Sequence, residues 1–203
     1  MNCLIFYFYI NSKNLRLILR FILVRFHAFA KYYYFCKNKK PYMNNIVFNF
    51  LTELAKNNHK EWFDAHKNDY EAAKAAVNTV CETIYNEIAL NDTLSPMKIY
   101  RIYRDLRFSK DKTPYKTHFG CYFQRKQPHY RGGYYIHISP EESFVGGGFF
   151  NPNKEDLLRI RQEISLDGDT FAQIMQHPEV VAQFGGRLWG DEVKTAPKGF
   201  EKD

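Results

Sequence analysis

No Cys-x-x-Cys pair occurs in this sequence, and none of its four cysteines (Cys3, Cys36, Cys81 and Cys121) stands at zinc-finger spacing from a histidine. That excludes a thioredoxin-like motif and a structural zinc site of the usual kind. There is no Gly-x-Ser-x-Gly elbow, which excludes a hydrolase built on that turn. The glycine run Gly146, Gly147 and Gly148 leads into Phe149-Phe150-Asn151-Pro152 and not directly into a helix. A P-loop cradle is therefore excluded, and a bulge or a close approach to a ligand or another backbone is what the glycines suggest. Acidic residues are missing altogether from the first 42 positions, which hold 8 Lys or Arg and 12 Phe or Tyr.

That leader has no uninterrupted apolar run long enough to span a bilayer. Arg16, Arg20, Arg25 and His27 break every window of the required ~20 residues. No small-residue cleavage signal follows it. A basic amphipathic surface helix fits poorly, because the apolar residues nearly encircle it. Of the 42 residues, 25 are Phe, Tyr, Ile, Asn or Lys, the types encoded by A/T-rich codons. The favoured reading is translated upstream sequence, with the start at Met43; a membrane enters only if residues 1–42 are native. The leader also distorts the charge. Of 29 Lys and Arg, 21 remain in residues 43–203 against all 22 acids, so the formal +7 belongs to the leader and the body is close to neutral. Free buried thiols at Cys81 and Cys121 fit a reducing cytoplasm.

From Met43 the pattern is that of one α+β domain. Ile46, Val47, Phe50, Leu51 and Leu54 give a short amphipathic helix. Asn58 with Glu61 three residues on reads as a capping box opening a long helix to about Leu90. Its apolar face is Tyr70, Ala73, Val77, Val80, Cys81, Ile84 and Ile88. Glu71, Lys74, Asn78, Glu82 and Asn86 form its solvated face. Strands are expected over 99–108, 119–124, 133–139 and 143–150, an antiparallel meander with a turn at 140–143. Asn153 opens a further helix that buries Leu157, Leu158, Ile160 and Ile164, followed by short helices over 170–175 and 179–184. From Gly185 the chain reads as extended and glycine-rich.

The densest chemistry lies at 101–120, R-I-Y-R-D-L-R-F-S-K-D-K-T-P-Y-K-T-H-F-G. Arg101, Arg104, Arg107, Lys110, Lys112 and Lys116 outnumber Asp105 and Asp111. A local basic excess in a neutral body is suited to a phosphate or carboxylate. Each lysine alone is more simply a solvated loop residue, and Arg101 and Arg104 could instead tie to acids on the long helix. Asp105, among cations, makes a poor base and is expected to orient an arginine. Ser109 reads as a loop hydroxyl or cap. In Tyr134-Tyr135-Ile136-His137-Ile138, Tyr135 and His137 share one face. If this strand neighbours the one after His118, the two histidines converge as proton-transfer candidates, with Tyr135 positioning. His137-Ile138-Ser139 has the H-x-S form of two-histidine phosphoesterases, but His118 is followed by Phe119-Gly120, so the second copy is missing. No further ligand stands at a telling spacing, and neither a metal nor a cofactor is expected.

Several long motifs taken in order resemble domain-of-unknown-function family 2461, bacterial conserved hypothetical proteins. They are N-N-H-K-E-W-F-D-A-H-K at 57–67, the 101–120 segment, G-Y-Y-I-H-I-S-P at 133–140, S-F-V-G-G-G-F-F-N-P at 143–152 and A-P-K-G-F at 196–200. The resemblance covers about 46–203 and implies a single α+β domain without an established activity. It implies a closing segment beyond K-G-F, so a chain ending at Asp203 is expected to be truncated. Three functions remain open. The first is binding of a small anion, with or without catalysis. The second is nucleic-acid binding, with Tyr100, Tyr103, Phe108 and Tyr115 as stacking groups. The third is a scaffold whose arginines only hold helix to sheet.

Overall fold

The computed structural model describes residues 45–141, 143–149, 152–184, 196–197 and 199–200. The leader, the start at Met43 and the segment after Phe184, apart from the last few described positions, lie outside them. The chain falls into two compact units, one ending at Val145 and the other running from Gly146 onward.

In the first unit, α1 (Asn45–Lys56), α2 (Lys60–Ala65) and α3 (Lys67–Ala89) precede β1 (Lys98–Ile99), β2 (Phe119–Gln124), β3 (Gly133–Ile138) and the start of β4 (Phe144–Gly148). The four strands form an antiparallel meander in the order β1-β2-β3-β4. This is the expected α+β arrangement. The expected helix face is the one buried, since Tyr70, Ala73, Val77, Cys81, Ile84 and Ile88 all lie inside and only Val80 is half-buried. Apolar residues at three- and four-residue spacing form one stripe, and that stripe packs on the sheet. Tyr70 stacks on Phe119 and Tyr85 meets Phe123. Phe50 of α1 closes the core against Trp62, Phe63 and Tyr70. Cys81 of α3 and Cys121 of β2 are both fully buried free thiols. The hydrogen bond between them, and then burial, push the Cys81 thiol far above its ordinary range.

Two expectations are corrected here. The helix does not run unbroken from 59. His66 has φ −109° and ψ 25°, and its Nδ1 donates to the Trp62 carbonyl at 2.8 Å while its ring stacks on the indole at 4.0 Å. The side chain adds a second donor to a carbonyl that already accepts the His66 N–H at 3.0 Å, and the axis breaks at His66 between α2 and α3. Asn58 is also not the cap. His59 caps α2 through Nδ1, which accepts from the Trp62 N–H. Asn58 turns the other way: its amide donates to the Tyr115 carbonyl and accepts from the Tyr115 N–H, each at 3.0 Å.

The second unit carries the end of β4 and then α4 (Lys154–Leu166), α5 (Gly168–Met175) and α6 (Pro178–Phe184). Asn153 caps α4 as expected, accepting from the Asp156 N–H at 2.8 Å. Ile160 is buried, but Leu158 is exposed, contrary to expectation; Asp156 is the inward polar residue.

Candidate functional site

The expected strand over 99–108 is not formed beyond Ile99. After Tyr100, whose N–H bonds to the Gly120 carbonyl, the chain leaves the sheet as an arm and returns at Lys116. The root of the arm is a single bridge between Tyr103 and Tyr115, with Arg104 N–H donating to Pro114 O and Lys116 N–H to Ile102 O. Asn58 holds the root from outside, occupying the backbone groups of Tyr115 as a neighbouring strand would. Phe63 stacks on the Tyr115 ring at 4.1 Å.

The arm is braced by its own side chains. The Arg104 guanidinium donates to Asp111 and, at 2.5 Å, to the Thr113 hydroxyl; its other terminal nitrogen lies 3.3 Å from Ser109 Oγ. Asp111 accepts from the Thr113 N–H and hydroxyl, both at 2.9 Å, and Ser109 donates to the Asp111 carbonyl. The Thr113 N–H first, and then Arg104, hold the Asp111 carboxyl down to about 2. Asp105 orients Arg107, as expected, through a forked pair at 2.6–3.2 Å, and that arginine is the first cause of its lowered pKa. Lys112 Nζ donates to the Leu106 carbonyl. Arg104, Arg107 and Lys112 are therefore engaged inside the arm, and not one of them pairs with an acid on a helix. Lys110 and Arg101 are exposed and make no ion pair among the described residues.

The sheet brings together a different set. Register pairs Gly120 with His137 and Tyr122 with Tyr135, so these four share the face turned away from α3. His118, at the entry to β2, stacks on His137 with ring centroids 4.1 Å apart. The convergence expected from neighbouring strands is thus realised. Tyr135 lies beside His137 at 6.3 Å and beside Tyr100 at 6.4 Å. Gly120 makes room for this: a Cβ there would fall 2.6 Å from the Tyr135 hydroxyl and 3.3 Å from Tyr100. Tyr122 leans the opposite way and covers Gly133. Lys116 reaches back to donate to the Arg101 carbonyl at 3.1 Å and sits 5.7 Å from the Tyr100 ring centre.

Among the described residues, the charged groups that act on His118 are all cationic or imidazole. Burial first, and then His137, Lys116 and Arg104, lower His118 to about 4, so its imidazole is neutral at physiological pH. Lys116 is lowered as well, by burial first and then by Arg101. A partly buried neutral imidazole among cations can accept a proton, and an anion bound there would relieve the repulsion. Among the described residues no three His, Cys, Asp or Glu side chains come together to hold a metal.

Of the residues expected at a site, His118, His137, Tyr135, Lys116 and Arg101 are brought to this face or its margin. Arg104, Arg107, Lys110 and Lys112 lie in the arm. Gly146, Gly147 and Gly148 end β4 and fall in the second unit, so the site is built from the first unit alone. Of the four expected stacking groups, Tyr115 is buried, Tyr100 is 37% exposed, Tyr103 is 46% exposed with one side packed against Phe63 and Tyr115, and Phe108 is 93% exposed. Gly120 and Asn58 were not anticipated. The register of β2 on β3 could have signalled Gly120, but nothing local signals Asn58, whose partner lies 57 positions away.

An α+β domain with a histidine pair on one face of an antiparallel meander is the class the geometry defines. The chain belongs to the conserved hypothetical protein family DUF2461, whose model matches residues 46–203. No curated protein and no solved structure matches it. No helix among the described residues is long and apolar enough to cross a membrane.

Proposed function

We propose that the face of β2 and β3 turned away from α3 binds a small phosphate- or carboxylate-bearing anion, with Lys116 and Arg101 as its charge partners and His118 as the proton-transfer group. The stacked His118–His137 pair carries this reading. Two rings are held 4.1 Å apart, and among the described residues burial, His137, Lys116 and Arg104 all act to disfavour the charged form of His118. Such an arrangement costs stability unless something negative offsets it. Tyr135, set over Gly120, fixes the edge of the pair and offers a hydroxyl to the ligand. Arg107 contributes nothing directly, because Asp105 already satisfies it.

The test is a titration of the full chain with inorganic phosphate, followed through the imidazole resonances. Binding should raise the pKa of His118 toward or above its ordinary value near 6.5, since the anion favours the charged form. Lys116→Ala should weaken phosphate binding about tenfold or more, and Arg107→Ala should leave it within about twofold. Unmoved His118 resonances at millimolar phosphate, arsenate and citrate would remove the proposal. Whether the bound anion reacts is a separate question, answered by comparing turnover of aryl phosphates by the wild type and by His118→Gln.

A further inference from the structure

Phe108 is 93% exposed, the most solvent-open large apolar side chain among the described residues, and it stands on a segment braced to hold it there. Arg104, Asp111, Thr113 and Ser109 interlock behind it, and Asn58 and Phe63 fix the root. None of these contacts uses the Phe108 ring. The Arg107 guanidinium lies 5.9 Å from the ring centre. A loop that spends this many hydrogen bonds on its own shape presents Phe108 at little entropic cost to a partner.

The chemistry beside the ring indicates the partner. Asp105 and Asp111, the two acids of the arm, are taken by Arg107 and Arg104. Lys98, Arg101 and Lys110 are left exposed, without an ion pair among the described residues. Each of these three lies one or two positions from an exposed aromatic: Lys98 and Arg101 flank Tyr100, and Lys110 follows Phe108. The Lys98 ammonium sits 5.4 Å from the Tyr100 ring centre. An open Phe108 and a Tyr100 that is 37% exposed, each beside cations without an ion pair among the described residues, match a polymer that alternates flat bases with phosphates. A bilayer is a poorer match, because Phe108 is the sole fully exposed apolar side chain of the arm; Leu106 beside it is half-buried. A protein pocket would need the one knob but would leave the recurrence at Tyr100 without a purpose.

We infer that Phe108 and Tyr100 are stacking positions for a single-stranded nucleic acid, one phosphate of which occupies the Lys116–His118 face. The inference rests on the anion reading above and names its ligand class. The arm from Tyr103 to Phe108 spans at most about 18 Å even if fully extended, so a short oligonucleotide reaches from its tip to the histidine pair.

The full chain is titrated against a 5′-fluorescent oligothymidine of about 12 nucleotides at low salt and followed by anisotropy. The oligonucleotide should bind, with log K falling against log salt at a slope of about −2 to −3, as expected for three or four single-strand phosphate contacts. Phe108→Ala should weaken binding about tenfold and Phe108→Trp should restore it. Neither change touches a buried contact, and an unchanged circular dichroism spectrum checks that the fold is kept. Binding indifferent to Phe108→Ala overturns the inference. So does Phe108-dependent binding to phosphatidylserine vesicles without binding to the oligonucleotide. An oligonucleotide that fails to bind while inorganic phosphate still shifts His118 overturns the stacking inference and leaves the anion site standing. Failure of both removes both.

Discussion

A methyl group added at Gly133 would fall 2.4 Å from the backbone oxygen of Phe123, whereas one added at Gly120 would first meet the hydroxyl of Tyr135, at 2.6 Å. The first clash is with a ladder carbonyl that has nowhere to go, and the second is with the free end of a side chain that can swing aside. Gly133→Ala should therefore cost about 2 kcal/mol or more in urea unfolding, and Gly120→Ala about 1 kcal/mol or less. The two changes should part company again in binding. Gly120→Ala displaces Tyr135 from its place beside His137, so it should weaken phosphate binding at His118 while the fold survives. At this scale the sequence was legible where alternation applied: Tyr135 and His137 on one face, converging with His118, followed from the two-residue period of a strand. Asp105 among arginines followed from charge alone.

At the scale of elements, the long helix was readable because its stripe faces a single surface, the sheet, and burial imposed one period along its length. The arm was not readable. Ile99, Ile102, Tyr100, Tyr103 and Phe108 have the composition of a strand, yet the backbone leaves the sheet because other partners satisfy it: Asn58 at the root, and Arg104, Asp111 and Thr113 within. Such partners act through side-chain geometry and carry no periodic signal. The break at His66 is likewise silent in the apolar spacing. Because the arm is braced mainly by Arg104 and stands apart from the core, Arg104→Ala should loosen it without unfolding the domain. Amide exchange over 105–113 should accelerate about tenfold or more, while global stability falls by less than about 1 kcal/mol, as expected when a largely surface ion pair is lost. A loss of several kcal/mol would instead make Arg104 a pillar of the fold, the scaffold reading.

For the whole molecule, acid should act through His118 before it acts through the carboxylates. Above pH 6.5 the imidazole is neutral in both folded and unfolded chains and contributes nothing. As pH falls from about 6.5 toward 4, the unfolded chain takes up a proton that the folded chain refuses, so stability declines across that window. Between pH 7 and pH 5 the decline should be about 1 kcal/mol after allowance for solvent access, and His118→Gln should flatten it. Asp111 acts in the same sense at lower pH: its stabilising contribution is present above its ordinary value of 3.8 and is lost as pH falls through about 2. Phosphate, by raising the folded pKa of His118 back toward 6.5, should shrink the His118 decline. The thiols at the centre of the first unit give a separate handle on the same molecule. Cys81 comes from α3 and Cys121 from β2, and each is sealed by the other. A thiol reagent can reach either one only when helix and sheet part, so the speed at which these two cysteines are labelled counts how often the layers separate in a protein that is otherwise at rest.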